Sequence, residues 1–489
     1  MIYQTLANNL ESFLAERRAE DPDAKPLPQF VEKEMRAFLS CGILSAGFVL
    51  LKCEEGCGGM FAVPYSCKRR GFCSSCSAKR MHETAIHLTE NVLPQVPFRQ
   101  WVATFPFALR SWMAASRQMT SIVHRVVTKM IASYYLHQAE DRGIIDAQPG
   151  GMTFVQRFGG ALNIAPHLHV LMIEGVYSLV EDKPVFYHLP GPSDEEVGQV
   201  LEAVAHAVVE MLRSKGLLAE EGQDVDASRY IDKVFAESAL LTSATQASGR
   251  MRIAFGEHVG QRVRRIGRSF GFAQEVPLIK GPRCALINGF SLHANRYIGQ
   301  QERDKLRDLI CYGARGAFSN ERLSLKNPAN PDGDLVYRLR HVWADGTEAV
   351  ELSQMEFLEK LVALIPPPNS HLTRYHGALS SHSKIRPLII LKPGFTKGFV
   401  TELGATDEEM IVRLTWSRLM RKTFKRDVMV CPACGARIRS KNCIAVNEAS
   451  SIQRILRYLG QNEHPPPIKP ARRTIRELDF DQRQSNIVH

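Results

Sequence analysis

The spacing of hydrophobic and polar residues predicts a chain in which long helices alternate with short groups of strands. Apolar residues recur at helical spacing in several segments, one broken by the polar run DPDAKPLP and another by EEGQDVDASR. These predicted helical segments cover residues 5–40, 81–94, 111–142, 193–245, 301–314 and 355–366. Aromatic and β-branched residues predict a strand over 100–110, and Asp345-Gly346 between two alternating segments predicts a hairpin over 334–353.

Residues 150–160 and 161–177 predict a second hairpin around a Gly-Gly turn, and its second strand carries two histidines one residue apart. Because side chains alternate between the two faces of a strand, His167 and His169 share one face. Two imidazoles on one face are able to hold a metal ion. They are also compatible with ordinary half-buried histidines, and the pattern alone leaves both interpretations open.

The predicted pairing brings a third candidate ligand next to the histidines. If 152–158 pairs with 162–172, Gln156 lies on the strand beside the histidine pair. An amide oxygen binds hard divalent cations, and two imidazoles plus one amide leave open coordination positions. These positions suit a metal that also binds a phosphate oxygen, so the pattern favours Mg²⁺ or Mn²⁺ over a thiolate-bound zinc.

The composition is that of a globular chain with an excess of positive charge. At 489 residues the chain is long enough for about three domains, with 44% hydrophobic and 23% charged residues. Its 62 lysines and arginines exceed its 51 acidic residues, and the net charge of +11 favours a polyanionic partner such as nucleic acid. The first residues lack the apolar core of a signal peptide, and no run reaches the ~18 apolar residues of a membrane helix. We therefore expect a cytoplasmic protein that does not bind membranes.

Five cysteines lie within the run CEEGCGGMFAVPYSCKRRGFCSSC, a density typical of a zinc site rather than of isolated thiols. They are Cys53, Cys57, Cys67, Cys73 and Cys76. Because zinc with thiolate ligands is four-coordinate, we expect Cys53, Cys57, Cys73 and Cys76 to hold one zinc ion, with Cys67 nearby. In a reducing cytoplasm these cysteines should not form structural disulfides.

Five basic residues lie between or shortly after these cysteines, namely Lys68, Arg69, Arg70, Lys79 and Arg80. A small metal-stabilised module with this charge is suited to contact the phosphates of DNA. An ordinary solvated face is the alternative interpretation, and the sequence alone leaves both open.

The C-terminal run CPACGARIRSKNC contains Cys431, Cys434 and Cys443. Its first two cysteines have the spacing of a zinc knuckle, but a fourth ligand is not evident close by. A partial zinc ribbon and a metal-free turn both fit this segment. The residues that follow are proline-rich and then strongly polar, so we expect the end of the chain to be poorly ordered.

Five motifs occur in a fixed order along the chain: SCKRRGFCSSCSAKRM, FVQRFGGALNIAPHLHVLM, LICYGARGAFSNERL, LTRYHGALSSHSKIR and CPACGARIR. With these motifs, and with HLH inside a predicted strand, the chain resembles the rolling-circle HUH transposases of bacterial insertion sequences, in particular those of insertion-sequence common-region elements. The resemblance implies an N-terminal zinc-binding domain followed by an HUH domain that cuts and rejoins single-stranded DNA. We therefore expect Mg²⁺ or Mn²⁺ as the catalytic cofactor and Zn²⁺ as a structural one.

The resemblance assigns roles to individual positions of this sequence. The metal-binding pair of the family falls on His167 and His169, and Gln156 is the third ligand because relatives carry Gln or His there. The nucleophile motif of the family is a helix that reads roughly Tyr-Leu-x-Arg-Tyr-x-x-Arg. It falls on 308–315, which makes Tyr312 the expected nucleophile.

The first position of that motif is Asp308, so a single-tyrosine mechanism fits this chain better than a two-tyrosine mechanism. Asp308 is expected to bind the metal or to accept the proton of the phenol, with a solvated helix charge as the alternative. Arg315 and Arg322 are candidate phosphate ligands, with a generic surface charge as the alternative for each. Tyr375 is the competing nucleophile, ranked below Tyr312 because its segment resembles a structural or DNA-contacting one.

These inferences combine into one expected architecture. We expect a multidomain α+β protein with an N-terminal zinc-binding module over 1–95 and a C-terminal region over 401–489. Between them we expect an HUH-type nuclease domain built on an antiparallel sheet over 96–400, with helical flanks and a helical insertion at about 180–280.

Three candidate functions follow from the same observations. The first is a transposase that nicks single-stranded or hairpin element ends and transfers strands through a 5′-phosphotyrosine intermediate. The second is a catalytically inactive, zinc-dependent DNA-binding regulator, which Asp308 in place of a tyrosine keeps open. The third is a plasmid replication initiator or relaxase, which shares the chemistry and differs in its substrate.

Overall fold

The computed structural model describes most of the chain, as helices packed on antiparallel sheets. The described residues are 1–20, 26–54, 56–218, 228–267, 281–343, 345–390, 417 and 419–472. The helices with defined bounds are α1 (Ile2–Glu20), α2 (Gln29–Leu39), α3 (Ser74–His87), α4 (Phe107–Ala115), α5 (Arg117–Glu140), α6 (Asp194–Ser214), α7 (Lys233–Ala236), α8 (Ala239–Gly249), α9 (Arg303–Ala314), α10 (Gln354–Leu364), α11 (Arg386–Ile389) and α12 (Ala449–Tyr458). The strands are β1 (Phe48–Lys52), β2 (Met60–Pro64), β3 (Phe98–Thr104), β4 (Gly150–Phe158), β5 (Ile164–Ile173), β6 (Gly175–Val180), β7 (Lys183–His188), β8 (Arg264–Ile266), β9 (Cys284–Ile287), β10 (Phe290–Ile298), β11 (Leu323–Leu325), β12 (Leu335–Arg338), β13 (Ala349–Leu352), β14 (Thr373–Gly377) and β15 (Cys443–Val446).

This architecture confirms the α+β class expected from the sequence. The strand predicted over 100–110 is wrong in its second half, because β3 ends at Thr104 and the chain enters α4 after Pro106. Proline cannot donate to a sheet ladder, whereas it is well suited to the start of a helix. The interval 180–280, expected to be a helical insertion, contains α6 to α8 but also β7 and β8, so it is helical only in part.

The central element is a six-stranded sheet with the strand order β14-β4-β5-β3-β10-β9, in which every neighbouring pair is antiparallel. The hairpin predicted around the Gly-Gly turn is present as β4 and β5. Gln156 pairs directly opposite His167, and Phe154 pairs directly opposite His169. Directly opposite residues of an antiparallel pair share a face, so the expected position of Gln156 beside the histidines is confirmed.

The two faces of this sheet contribute to separate hydrophobic cores. On one face, β5 buries Leu168 and Val170 against α5 and α6. On the other face, Phe154 and Leu171 pack with residues of α3 and α9. Burial on both faces explains why β4 and β5 have nearly continuous apolar sequences rather than alternating ones. His169 lies two residues from Leu171, so the histidine pair is on the face covered by α3 and α9.

A buried ion pair fixes the end of the histidine strand to its neighbours. Glu174 directly follows β5, and its carboxylate accepts two hydrogen bonds from Nε of Arg99 on β3, at 2.7 and 2.8 Å. Arg99 also donates to the backbone oxygen of Ala294 on β10, and Tyr135 of α5 donates to Glu174. A charge buried without a partner is costly, so this set of contacts favours one arrangement of the three strands.

A third core joins α1, α2, α8 and α10 to the four-stranded sheet β11-β12-β13-β8. The hairpin predicted around Asp345-Gly346 is present as β12 and β13. Helix α10 begins with a capping box, in which Ser353 accepts from the backbone N–H of Glu356 and the Glu356 carboxylate accepts in return.

The described part of the C-terminal region is joined to the N-terminal module. Strand β15 pairs antiparallel with β1 in the sheet β15-β1-β2. Helix α12 contributes Ile452 and Leu456 to a small core that also contains Phe48 of β1. The poorly ordered tail expected from the sequence lies beyond residue 472, outside the described residues.

Candidate active site and cysteine clusters

The two histidines of β5 and the glutamine of β4 form the centre of the candidate active site. The ring centroids of His167 and His169 are 4.9 Å apart. His169 and Gln156 are almost fully buried, with 4% and 2% of their surfaces exposed. The cross-strand pairing of Gln156 with His167 therefore places three potential ligand side chains on one buried face of the sheet.

Two atoms of this group lack hydrogen-bond partners among the described residues. The side-chain amide of Gln156 donates from Nε2 to the backbone oxygens of Tyr312 and Gly313, at 2.8 and 2.9 Å. Its Oε1 atom is buried without a partner in the described part of the chain, and so is Nε2 of His169. Buried polar atoms are normally paired, because leaving one unpaired costs about 1–3 kcal/mol. Both atoms are of the kind that ligates a cation.

Neighbouring groups set the proton positions on the two imidazoles. Nδ1 of His167 lies 2.8 Å from the backbone oxygen of Ala165, so Nδ1–H donates and Nε2 keeps its lone pair. Nδ1 of His169 lies 3.1 Å from the Gln100 amide on β3. In the structure Nε2 of Gln100 faces Nδ1 and donates to it; rotation of this amide by 180° would bring its oxygen to Nδ1–H and leave Nε2 of His169 free to ligate. A partner of this type on the second nitrogen is typical of metal-binding histidines.

Burial keeps both imidazoles neutral. Burial, together with the smaller effects of the nearby His167 and Arg315, lowers the pKa of His169 to about 3. Burial also lowers the pKa of His167, and the positive charges of Arg315 and Arg110 act in the same direction. Neutral imidazole is the form that binds metal ions, so these residues need no deprotonation at neutral pH.

Helix α9 brings Tyr312 to the histidine pair. The ring of Tyr312 lies 5.5 Å from the ring of His169 in an edge-to-face arrangement with an interplanar angle of 83°. Next to it, Gly313 allows α9 to approach β4 closely, because a Cβ atom there would lie 2.5 Å from the ring of Phe154. Tyr312 is nevertheless 39% exposed, so this side of the site is open to the surface. Of the two tyrosines considered from the sequence, this one lies at the histidines.

Arginines surround the Tyr312 ring. The guanidinium of Arg315 lies 4.4 Å from the ring centroid and that of Arg340 lies 5.4 Å from it. Nε of Arg315 is buried without a partner in the described part of the chain, so it is available to an oxyanion. Arg340 and Arg110 were not singled out by the sequence analysis. Arg110 comes from α4 and Arg340 from the segment after β12. No local pattern in the sequence indicates that either arginine lies near this site.

Arg322 lies close to the site, and its contacts are with other parts of the protein. It donates to the backbone oxygens of Gly160, in the turn between β4 and β5, and of Arg338, both at 2.6 Å. Its guanidinium also lies 4.4 Å from the Tyr337 ring. These contacts occupy much of the guanidinium, so its expected role as a phosphate ligand stays a prediction.

The surroundings of Asp308 and Tyr375 differ from those of Tyr312. Asp308 is exposed, and its charge partly opposes the burial that lowers the pKa of His82 on α3. Tyr375 of β14 pairs with Met152 of β4, and Met152 pairs with Leu171 of β5. Tyr375 is therefore level with a position of β5 that lies four residues beyond His167. Four residues of a strand span about 14 Å. Burial raises the pKa of Tyr375, and its ring is covered by Arg386 at 5.1 Å.

The cysteines form two groups of four, which we call the first and the second cluster. The first cluster consists of Cys41, Cys67, Cys73 and Cys76, and the second of Cys53, Cys57, Cys431 and Cys434. Within each cluster, all the sulfur atoms lie within 4.8 Å of one another. The prediction that Cys53 and Cys57 share one zinc with Cys73 and Cys76 is therefore wrong. Cys41 takes a place in the first cluster because its position after α2 brings it next to Cys67, whose backbone N–H donates to the Cys41 sulfur.

The basic residues predicted to contact DNA surround the first cluster, but they do not all have the same surroundings. Lys68, Arg69 and Arg70 are exposed in the loop between Cys67 and α3. Arg80 of α3 donates to the backbone oxygens of Lys68 and Arg69, at 3.3 and 2.7 Å. Arg80 therefore holds the loop, whereas the exposed members are free to reach a phosphate. Lys79 of α3 is partly exposed.

Helix α3 connects the first cluster to the candidate active site. It carries Cys76 and begins at Ser74, directly after Cys73. It packs along α9, where Nδ1 of His82 lies 3.7 Å from the sulfur of Cys311, the residue before Tyr312. The N-terminal module therefore packs against the helix that carries Tyr312.

Two family models match the chain. A model of the IS91 type, described as "Transposase zinc-binding domain", matches residues 8–105, and a model described as "Putative transposase" matches residues 150–386. The chain thus carries a region similar to a transposase zinc-binding domain of the IS91 type and a region similar to a transposase, and these families imply DNA as a partner and zinc as a structural constituent. No curated protein matches the chain, and no solved structure matches it. Among the described helices, none is long and apolar enough to cross a membrane.

We expect Gly313→Ala to destabilise the protein by about 1–3 kcal/mol, because the added methyl group would overlap the Phe154 ring and force α9 away from β4. The matched control is Gly198→Ala in α6, where an added Cβ meets no atom within 4 Å and helix propensity favours alanine by about 1 kcal/mol. Urea unfolding of both variants measures the difference. Equal midpoints for the two variants would contradict the close packing of α9 on β4.

Proposed function

We propose that this chain is a metal-dependent transposase of the HUH class, which nicks single-stranded element ends and rejoins them through a 5′-phosphotyrosine on Tyr312. The supporting observation is that residues from distant parts of the sequence meet at one point. The Tyr312 ring lies against His169, and the backbone oxygen of Tyr312 accepts from Gln156. A nucleophile beside a set of metal ligands is what metal-assisted cleavage of a phosphodiester requires.

Mg²⁺ or Mn²⁺ fits the donor atoms of this site. In the proposal, His167 and His169 bind the ion through Nε2 and Gln156 binds it through Oε1. The fit rests on the buried Oε1 of Gln156 and Nε2 of His169, which lack partners in the described part of the chain. When bound, the ion polarises the scissile phosphate and stabilises the charge that builds on its oxygens.

In the proposed reaction, the phenolate oxygen of Tyr312 attacks the scissile phosphorus in line. A bond forms between that oxygen and phosphorus, and the bond from phosphorus to the 3′ oxygen breaks. The 3′ oxygen takes up a proton and leaves as a hydroxyl, while the 5′ phosphate stays on the tyrosine. A 3′-hydroxyl that attacks the phosphotyrosine reverses the step, so rejoining requires no ATP.

Two further side chains complete this proposal. Arg315 stacks on Tyr312 and has a buried Nε without a partner among the described residues, so it is suited to neutralise charge on the phosphoryl oxygens. Asp308 lies one helical turn before Tyr312, and we assign to it the role of accepting the phenol proton.

Structural zinc is assigned to the first cluster. Two sulfurs bound to one tetrahedral zinc at ~2.3 Å are ~3.8 Å apart. The sulfur of Cys41 lies 3.6 Å from that of Cys73 and 3.7 Å from that of Cys76, and the sulfurs of Cys67 and Cys76 are 3.4 Å apart. We propose that this zinc holds the loop that presents Lys68, Arg69 and Arg70 to the phosphates of the DNA strand.

We expect Tyr312→Phe to abolish a covalent protein–DNA adduct and Tyr375→Phe to leave it intact. The physical reason is that the Tyr312 ring lies against His169, whereas Tyr375 lies two strands away from β5, level with Leu171. The measurement is incubation with labelled single-stranded DNA carrying the element ends, plus Mn²⁺, followed by denaturing electrophoresis. Loss of the adduct in Tyr375→Phe would reassign the nucleophile. No adduct with the unmodified chain would favour the DNA-binding regulator.

Replacing both histidines, His167→Ala with His169→Ala, should remove Mn²⁺-dependent cleavage and leave DNA affinity within about twofold, because phosphate contacts rather than the metal dominate affinity. Cleavage is followed with the same labelled strand, and affinity by fluorescence anisotropy. His293→Ala on β10 is the matched control, since this histidine of the same sheet is not a member of the pair. Undiminished cleavage in the double variant would disprove the metal site.

Asp308→Asn tests the proposed general base. If Asp308 accepts the phenol proton, the variant should cleave more slowly by about 10²–10⁴-fold without loss of the adduct at long times. Asp304→Asn, on an exposed position one turn earlier in α9, is the control and should have no effect. An unchanged rate for Asp308→Asn would identify it as a solvated helix charge. The measurement is the single-turnover rate of adduct formation.

A further inference from the structure

The second cluster joins two segments that are far apart in the sequence. Cys53 and Cys57 lie between β1 and β2, whereas Cys431 and Cys434 come from the C-terminal knuckle. The sulfur of Cys53 is 3.6 Å from that of Cys434, and the sulfur of Cys57 is 3.7 Å from that of Cys431. These separations match the ~3.8 Å between two sulfurs on one tetrahedral zinc. Each knuckle supplies two of the four ligands. The set is therefore complete, although the sequence around Cys431 shows no fourth ligand of its own.

The backbone of both knuckles is folded around the sulfur atoms. The backbone N–H of Gly58 donates to the oxygen of Cys53, and that of Gly435 donates to the oxygen of Cys431, both at 2.9 Å. Gly56 permits the close approach of the two knuckles, because a Cβ atom there would lie 2.7 Å from the Cys434 sulfur. The main chain therefore has the shape that four converging thiolates require.

A short strand pairing and two small cores also hold the C-terminal segment 428–460 to the N-terminal module. Strand β15 pairs with β1 over only four residues. The two small cores at this contact have five and four buried members, with five and six partly buried hydrophobic residues packed against them. Small cores contribute limited stability, and a metal ion commonly supplies the missing stability in small modules.

The two clusters differ in their access to solvent. In the second cluster, Cys57 and Cys434 are exposed, whereas no cysteine of the first cluster is. A chelator reaches an exposed thiolate more easily than a buried one, and a zinc site opens by exchange of one ligand at a time. The structure thus distinguishes an accessible site from a protected one.

We propose that Cys53, Cys57, Cys431 and Cys434 bind a second zinc ion, which ties the C-terminal segment to the N-terminal module and exchanges faster than the zinc of the first cluster. The family match to the zinc-binding domain spans residues 8–105 and includes only two of these four ligands. The second site makes the zinc-binding unit discontinuous in sequence, with the catalytic sheet inserted between its halves. This inference does not depend on the chemistry proposed for Tyr312.

The first experiment counts zinc and follows its release from the full-length chain. The purified protein should contain two zinc ions, and 4-(2-pyridylazo)resorcinol should remove them in two phases of equal amplitude. The double variant Cys431→Ser with Cys434→Ser should contain one zinc and lack the fast phase. The matched control Cys443→Ser, in the same segment but in neither cluster, should keep two ions and both phases. One zinc in the unmodified protein, or two in the double variant, would overturn the proposal.

The second experiment needs no variant, so it is independent of whether the double variant folds. Trypsin is added to the unmodified chain before chelation, after the fast phase and after both phases. After the fast phase, cleavage at Arg437 and Arg454 in the C-terminal segment should accelerate while α3 stays protected. Supplementation with Zn²⁺ should restore protection. Equal susceptibility of 428–460 before and after the fast phase would show that the ion does not tie this segment.

Discussion

The candidate active site depends above all on the register in which β4 pairs with β5. The pairing of Gln156 with His167 and of Phe154 with His169 places the three polar side chains on the face that α9 covers. A slip of one residue would turn Gln156 to the opposite face, among the apolar side chains that pack on α5 and α6. The register is stabilised on both faces at once, since Leu168 and Phe154 fill different cores. Arg322 adds a direct restraint, because it donates to the turn that joins the two strands.

Because the sheet positions only His167, His169 and Gln156, Tyr312 has to be brought to them by the packing of a helix. Helix α9 is held from two sides: Gly313 lets it touch β4, and α3 of the zinc-binding module lies along it. Near the start of α9, Arg303 donates to the backbone oxygens of Leu93 and Pro94 in the segment after α3. The zinc-binding module is therefore more than an appended DNA-binding unit. Its folding is a condition for the position of Tyr312, which couples structural zinc to the proposed chemistry.

The sequence predicted the parts of this site that depend on local periodicity, and missed those that depend on distant packing. Alternation along one strand and a Gly-Gly turn were enough to place His167, His169 and Gln156 together, because strand geometry is local. The cysteines were grouped wrongly, because knuckle spacing identifies pairs of ligands but carries no information on which pairs meet. Cys41 has no partner at knuckle spacing, and Cys431 lies hundreds of residues from Cys57. The strand predicted over 100–110 failed for a local reason, a proline at which the ladder has to end.

The charges around the site have a consequence for the order of binding under the proposed function. Two neutral imidazoles and an amide supply no negative charge to a divalent ion, and the charged groups that act on the imidazoles are Arg315 and Arg110. A cation that enters this site without a phosphate is repelled by these arginines. A phosphate that enters without a cation leaves Oε1 of Gln156 buried without a partner among the described residues. Each ligand supplies the charge that the other lacks, so their binding should be positively coupled, with the same coupling free energy seen from either side. A site of this type holds its metal weakly until a DNA phosphate arrives, which confines the activated state to the protein–DNA complex.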